Sequence, residues 1–263
     1  MEIHKPKPVH SWRELLTEIG IVVIGVCIAL GAEQTVEWLH WRKQVEEARE
    51  VIATEVAANL SSAIVRIRNK DCVERRLDEL AQILDQAAVK GGLPPLGDIR
   101  MPPRSIWPTG AWDSVVASQT ATHFPRQQLA DLAGVYKFVQ RLETFSGREI
   151  DAWTVLFSMT GPGRRLDSSS ESEIRKSLSS ARYSNRVLAS LGQQMAGRVK
   201  TLHLPFTQED LASMEAAKRP RALGATNNTC EPIGPATAFY GQANGVAQPG
   251  DVRLLPDFSE GRR

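Results

Sequence analysis

Leu15 to Ala32 reads LLTEIGIVVIGVCIALGA, eighteen residues with a single charge, Glu18, near the start. At 1.5 Å per residue a helix of this length spans about 27 Å, close to the hydrocarbon thickness of a bilayer. Trp12 precedes the run, and Trp38 and Trp41 follow it. Indole rings favour the headgroup level, so the three tryptophans form an aromatic belt at both edges. The reading is a membrane helix over 15–38, after a short flank over 1–14. A cleaved leader is the competing reading, with Lys5, Lys7 and Arg13 as its basic region and Ala29-Leu30-Gly31 as its cleavage site. Against it stand Glu14 and Glu18 and the unbroken passage into helix-forming sequence.

Within the run, Glu18 sits one turn inside the boundary, where its carboxylate reaches the interface by snorkelling; the alternative is a functional intramembrane acid. Gly25 and Ala29 form a small-xxx-small pair that lets two helices approach closely, so homo-oligomerisation through this face is an expectation. Flanking cations tie in number, with Lys5, Lys7 and Arg13 before and Arg42, Lys43 and Arg49 after. The N-terminal set lies closer to the apolar run and its flank is short. The expected orientation is therefore N-terminus in the cytoplasm and main domain outside.

From Glu33 to Lys90 there is neither Gly nor Pro. Both are depleted from helix interiors, so the stretch reads as one long helical region. Val45, Ala48, Ile52, Val56, Leu60, Ala63 and Ile67, then Leu77, Leu80, Leu84 and Ala87, recur at helical spacing. The stripe weakens at Asn69-Lys70-Asp71, which predicts a kink or break. Gly91-Gly92 supplies the stop, and five prolines between Pro94 and Pro108 make a connector.

Thr109-Gly110 opens a short helix with Asp113 in its first turn. Pro125 starts another, with Leu129, Leu132, Tyr136, Val139 and Leu142 on its inner face; a separate helix is expected from about Arg148 to Met159. Ser170 and Glu173 have capping-box spacing ahead of a stripe from Ile174 to Leu202. Asn185 interrupts that stripe, either as a buried residue fixing register or just off the seam. Thr207 to Asp210 caps a last helix ending near Lys218. The domain thus spans 39–218, and 219–263 is a Gly/Pro/Asn-rich, irregular tail. No β pattern is expected. The fold class is all-α: a transmembrane helix continuing into a long helix, with shorter helices packed on it as an elongated bundle.

Net charge is +2 and aromatics are 6% of the chain, so neither a basic nucleic-acid binder nor a base-stacking platform is indicated. The five histidines are scattered without metal-ligand spacing, and there is no H-E-x-x-H, phosphate loop or G-x-S-x-G. No catalytic residue, metal or cofactor is expected. Trp107 to Ser114 (WPTGAWDS) is the densest unusual cluster. It reads as a capped helix start whose indoles dock on the long helix, or as a pocket walled by Trp107 and Trp112 with Asp113 as its polar group. Arg175, Arg182 and Arg186 share a helical face that suits an acidic partner or lipid headgroups. Cys27 lies in the membrane run; Cys72 and Cys230 are the only cysteines outside it, compatible with one disulfide in an oxidising compartment.

The string from Glu18 to Leu30 (EIGIVVIGVCIAL), followed by a long charged helix, resembles a group of uncharacterised bacterial proteins. In these an N-terminal membrane helix of this texture leads into a helical domain of unknown function. The likeness covers roughly residues 10–70. It implies a single-pass bacterial membrane protein and brings no catalytic residue with it. Together these readings lead to a non-enzymatic interaction or scaffold protein of the cell envelope, with the bilayer and an unidentified protein as partners. The alternative is a ligand-binding or sensory helical domain.

Overall fold

The computed structural model describes residues 12–219 and 229–234. It is all-α. Helix α1 runs without interruption over Trp12–Lys90, roughly 120 Å of helix. Helices α2 (Gly110–Ala117), α3 (Arg126–Leu156), α4 (Ser168–Val199) and α5 (Gln208–Lys218) follow, with single 3₁₀ turns at Thr120–His123 and Phe157–Met159. Among the described residues extended chain pairs briefly, where no β pattern is expected: Gly92–Leu93 (β1) lies antiparallel to Arg164–Arg165 (β2), and Leu96 bridges Gly161 beside them. Gly91, at φ +76°, ends α1 in the left-handed conformation that glycine adopts without a Cβ penalty. A Cβ at Gly92 would stand 2.8 Å from the Arg164 carbonyl oxygen, so the β1–β2 contact requires glycine there.

Side-chain pairs fix the directions of the bundle. Arg49 meets Gln128, Tyr136 meets Glu55 and Arg66 meets Glu149, so α3 runs parallel to α1. Arg175 meets Asp85, Arg186 meets Glu74 and Asn185 meets Lys70, so α4 returns antiparallel. Helix α5 lies along α1 through Thr54–Asp210 and Ser61–Ser213 contacts. One apolar cluster gathers Val45, Ile52, Val56, Leu132, Val139, Leu188 and Met195. A second gathers Leu77, Leu80, Leu84, Trp153, Leu156 and Ile174 at the far end. The stripe from Val45 onward is thus covered by helices of its own chain.

Between the two clusters lies a buried polar belt of Arg66, Asn69, Glu149, Ser184 and Asn185. This belt corrects the expected break at Asn69-Lys70-Asp71. The helix continues there because its inward groups are satisfied. Asn69 Nδ2 donates to the Val65 carbonyl at 2.8 Å, and Asn185 Nδ2 donates to the Lys70 carbonyl at 3.0 Å. Asn185 is therefore on the seam and buried.

Three other boundaries differ from expectation. The helices expected before and after Arg148 are one, because Gly147 sits in open space on a helix held at both ends by buried residues. The cap of α4 is Asp167, whose carboxylate accepts from Ser169 N and Ser170 N at 3.0 and 2.9 Å, rather than a Ser170–Glu173 box. Those hydrogen bonds, the Ser170 N–H and hydroxyl foremost, hold the Asp167 carboxyl below its usual range. At the other end α4 stops at Val199, short of the Leu202 at which its apolar stripe ends. The Thr207–Asp210 capping box is present as read. Of the tail, 219 and 229–234 are described; the rest lies outside the described residues, as does the flank over 1–11.

Candidate functional site

Over residues 12–40 α1 stands clear of the bundle. From Leu16 to Leu39 its large apolar residues are open to the surroundings, with Ile21 66% and Ile28 67% exposed, and a Cβ at Gly20, Gly25 or Gly31 would meet nothing within 4 Å. Eighteen consecutive residues of it have a mean hydropathy of 2.4, and the helix is long and apolar enough to cross a membrane. Thr17 and Thr35 donate their hydroxyls to the carbonyls four residues back, at 2.9 and 2.7 Å, which lowers the cost of a hydroxyl near hydrocarbon. Gly25 and Ala29 are exposed, as is the free thiol Cys27. From Glu33 to Gln44 the helix remains outside the core, and Val45 is the first buried residue. The bundle therefore begins about 18 Å beyond the apolar run. At its near end the Trp41 ring stacks on His123 at 3.8 Å, tying the turn after α2 to α1.

The tryptophan cluster is split. Trp107 is buried and donates Nε1–H to Ser146 Oγ on α3 at 2.9 Å. Trp112 stacks on Tyr136 at 4.9 Å. Asp113 accepts from Thr109 Oγ1 at 2.8 Å on the surface. The residue that organises this region is Glu55, which the sequence reading passed over. Its carboxylate accepts from Ala111 N at 2.8 Å, Trp112 N at 3.2 Å and the Tyr136 hydroxyl at 2.6 Å. Burial and Glu55 together push the Tyr136 hydroxyl well above its ordinary range, so it remains a donor.

Beside Glu55 a groove of about 1130 Å³ runs along α1 from Gln44 to Ala58. Ala48, Val51 and Thr54 of α1, Ser114 and Val115 of α2, and Pro205 line it. Trp107, Trp112 and Asp113 do not line it. Among the described residues no cluster of His, Cys, Asp and Glu is arranged to hold a metal ion; His4 and His10 lie outside them.

The cationic face of α4 is occupied by α1. Arg175 binds Asp85 at 2.8 Å, Arg182 binds Asp78 at 2.8 Å and Arg186 binds Glu74 at 2.6 Å, so the acidic partner of this face is the chain's own first helix. At the core of the belt, Arg66 Nη2 meets Glu149 Oε1 at 2.6 Å, both side chains almost completely buried. Burial raises the Glu149 pKa above its ordinary value, and the Arg66 charge and hydrogen bond oppose this without cancelling it.

Cys72 of α1 and Cys230 are joined by a disulfide with Cα atoms 4.8 Å apart. The segment around Cys230 is also pinned to the connector. Thr229 Oγ1 donates to the Met101 carbonyl at 2.8 Å, Gly234 N to the Asp98 carbonyl at 3.2 Å, and Arg100 pairs with Glu231 at 3.4 Å. Buried Arg76 bridges the two by donating to the carbonyls of Ile99 and Glu231. No protein family, curated protein or solved structure matches this chain.

Proposed function

We propose that this chain is a single-pass protein of the bacterial inner membrane, with its N-terminus in the cytoplasm and its bundle in the periplasm, where it acts as a non-enzymatic interaction module. The observation that carries the reading is the continuity of α1. One helix supplies both an apolar stretch with no partner in the bundle and the spine on which α2, α4 and α5 pack, with α3 seated on α4 and joined to the spine through side-chain pairs. A joint without Gly or Pro holds the bundle at a set height above the bilayer instead of tethering it loosely. The Cys72–Cys230 bond suits an oxidising compartment and supports the outward orientation.

The test is topological. Alkaline phosphatase fused after Arg263 is expected to be active, and the protein to stay in membranes through carbonate extraction. Fluorescence of a cytoplasm-restricted reporter at the same site would reverse the orientation. A mature N-terminus near Ala32 would remove the anchor. A ligand-binding reading centred on Trp107 and Trp112 loses support from their separation, since one hydrogen-bonds into the core and the other stacks on Tyr136.

A further inference from the structure

We propose that the groove along α1 between Gln44 and Ala58 is the docking site for an amphipathic helix with a basic flank, supplied by another protein. The proposal deepens the interaction-module reading and rests on it. Along α1 the groove measures roughly 21 Å, about four turns of a bound helix. On α1 the short side chains Ala48, Thr54 and Ala58, with Val51 57% exposed among them, alternate along the groove with Gln44, Glu47, Glu50 and Glu55. Small residues let a helix backbone come close, and an apolar stripe at i, i+3, i+4 and i+7 then fills the groove.

Charge selects the occupant. Glu47, Glu50 and Glu55 line the groove, and no Lys, Arg or His does among the described residues. Lys43 lies 3.5 Å from Glu47, outside the lining, while Glu55 is held in place by α2 and Tyr136. Carboxylates along an apolar trough attract a helix with Lys or Arg beside its apolar stripe. The same three carboxylates repel the phosphate of a phospholipid. A second copy presents this same face, so self-pairing here would set like charges against each other. A basic helix relieves both conflicts.

The experiment uses the full-length protein in phosphatidylcholine nanodiscs, whose headgroups carry no net charge. The probe is a fluorescein-labelled helical peptide of about five turns, with a leucine stripe and lysine elsewhere. Its counterpart carries glutamate in place of lysine. Saturable binding of the lysine peptide is expected, with the glutamate peptide at least about tenfold weaker. Ser114→Trp, at an exposed position on the groove wall, is expected to block the trough and weaken binding about tenfold or more. Glu47→Lys with Glu50→Lys, both exposed, is expected to reverse the preference between the two peptides. Unchanged thermal unfolding of these variants assigns the loss to the groove.

Equal binding to empty nanodiscs, or binding insensitive to both variants, would overturn the proposal. So would native mass spectra showing a retained phospholipid that Ser114→Trp displaces, or a dimer that the same substitution dissolves. Membrane topology is read in cells and peptide binding on purified protein, so failure of the one is distinguishable from failure of the other.

Discussion

The carboxylate of Glu55 on α1 accepts the Tyr136 hydroxyl of α3 at 2.6 Å while capping the first turn of α2 through Ala111 N and Trp112 N. One side chain thereby joins three helices that are far apart in the sequence. The N-cap position itself, Thr109, makes no side-chain bond to the helix backbone. A capping group satisfies N–H donors that the helix cannot, and an acid also complements the dipole.

Glu55→Ala is therefore expected to destabilise the bundle by about 2–3 kcal/mol, from the lost cap and a phenol left without its acceptor in a buried site. Trp112, stacked on Tyr136, gives a fluorescence signal for the same site. Urea unfolding followed by far-ultraviolet circular dichroism, with the total indole emission beside it, checks it. Thr109→Ala is expected to cost much less, and equal costs would show that Glu55 is not the cap.

Arg66 and Glu149 make a different case, because a buried pair is costly to form and costlier to break. Arg66→Met leaves the carboxylate with burial alone acting on it, so the Glu149 pKa rises further. The native state then holds the proton more tightly than the unfolded chain does. Stability from this group is full below the unfolded carboxylate pKa and is lost as pH rises through the folded value. Arg66→Met is expected to cost about 3–5 kcal/mol at pH near 8 and less near pH 5, while Arg66→Met with Glu149→Leu recovers most of the loss. Denaturation midpoints at both pH values decide it. A double variant as unstable as the single, with no pH dependence, would contradict the argument.

The disulfide closes a sequence separation of 158 residues. In the chain-entropy model such a loop is worth about 3–5 kcal/mol, with measured values often lower. Reduction, or Cys230→Ser, is expected to lower the unfolding temperature and free the segment that Arg76 and Arg100 hold. Non-reducing peptide maps of protein from native membranes should contain the linked peptides. Free thiols at Cys72 and Cys230 there would count against both the bond and a periplasmic domain.

What the sequence made legible follows from how local each cause is. The absence of Gly and Pro from Glu33 to Lys90 and the Thr207–Asp210 box act within a few residues, and both were readable. The continuity of α1 through Asn69-Lys70-Asp71 is not legible locally, because the polar belt around it closes partly with distant helices. Arg66 finds Glu149 83 positions away, and the Lys70 carbonyl finds Asn185 115 away. Nothing in a window of one helix distinguishes such a polar belt from a break. Glu55 was passed over for the same reason, since an acid on a helix full of acids announces neither a cap nor a phenol. The only available signal was Asn185 itself, a polar residue in a stripe that otherwise stays apolar.

Self-association is expected to reside in the membrane segment alone, because α3 and α4 cover the stripe that begins at Val45. A Cβ at Gly25 meets nothing within 4 Å, so Gly25→Leu introduces no clash within one chain and should leave bundle melting unchanged. Any effect it has on crosslinking is then intermolecular. Close packing drives helix association in a bilayer, and a leucine at the crossing point keeps the backbones apart. At 100° per residue Val22 shares a face with Gly25 and Ala29, whereas Cys27 points away from both. Val22→Cys in a Cys27→Ser background is expected to form an oxidative dimer in membranes, weakened by Gly25→Leu, while native Cys27 crosslinks poorly. Efficient crosslinking through Cys27 would place the contact on the opposite face. A monomer in mild detergent, with crosslinking indifferent to Gly25→Leu, would leave the protein a single anchored bundle.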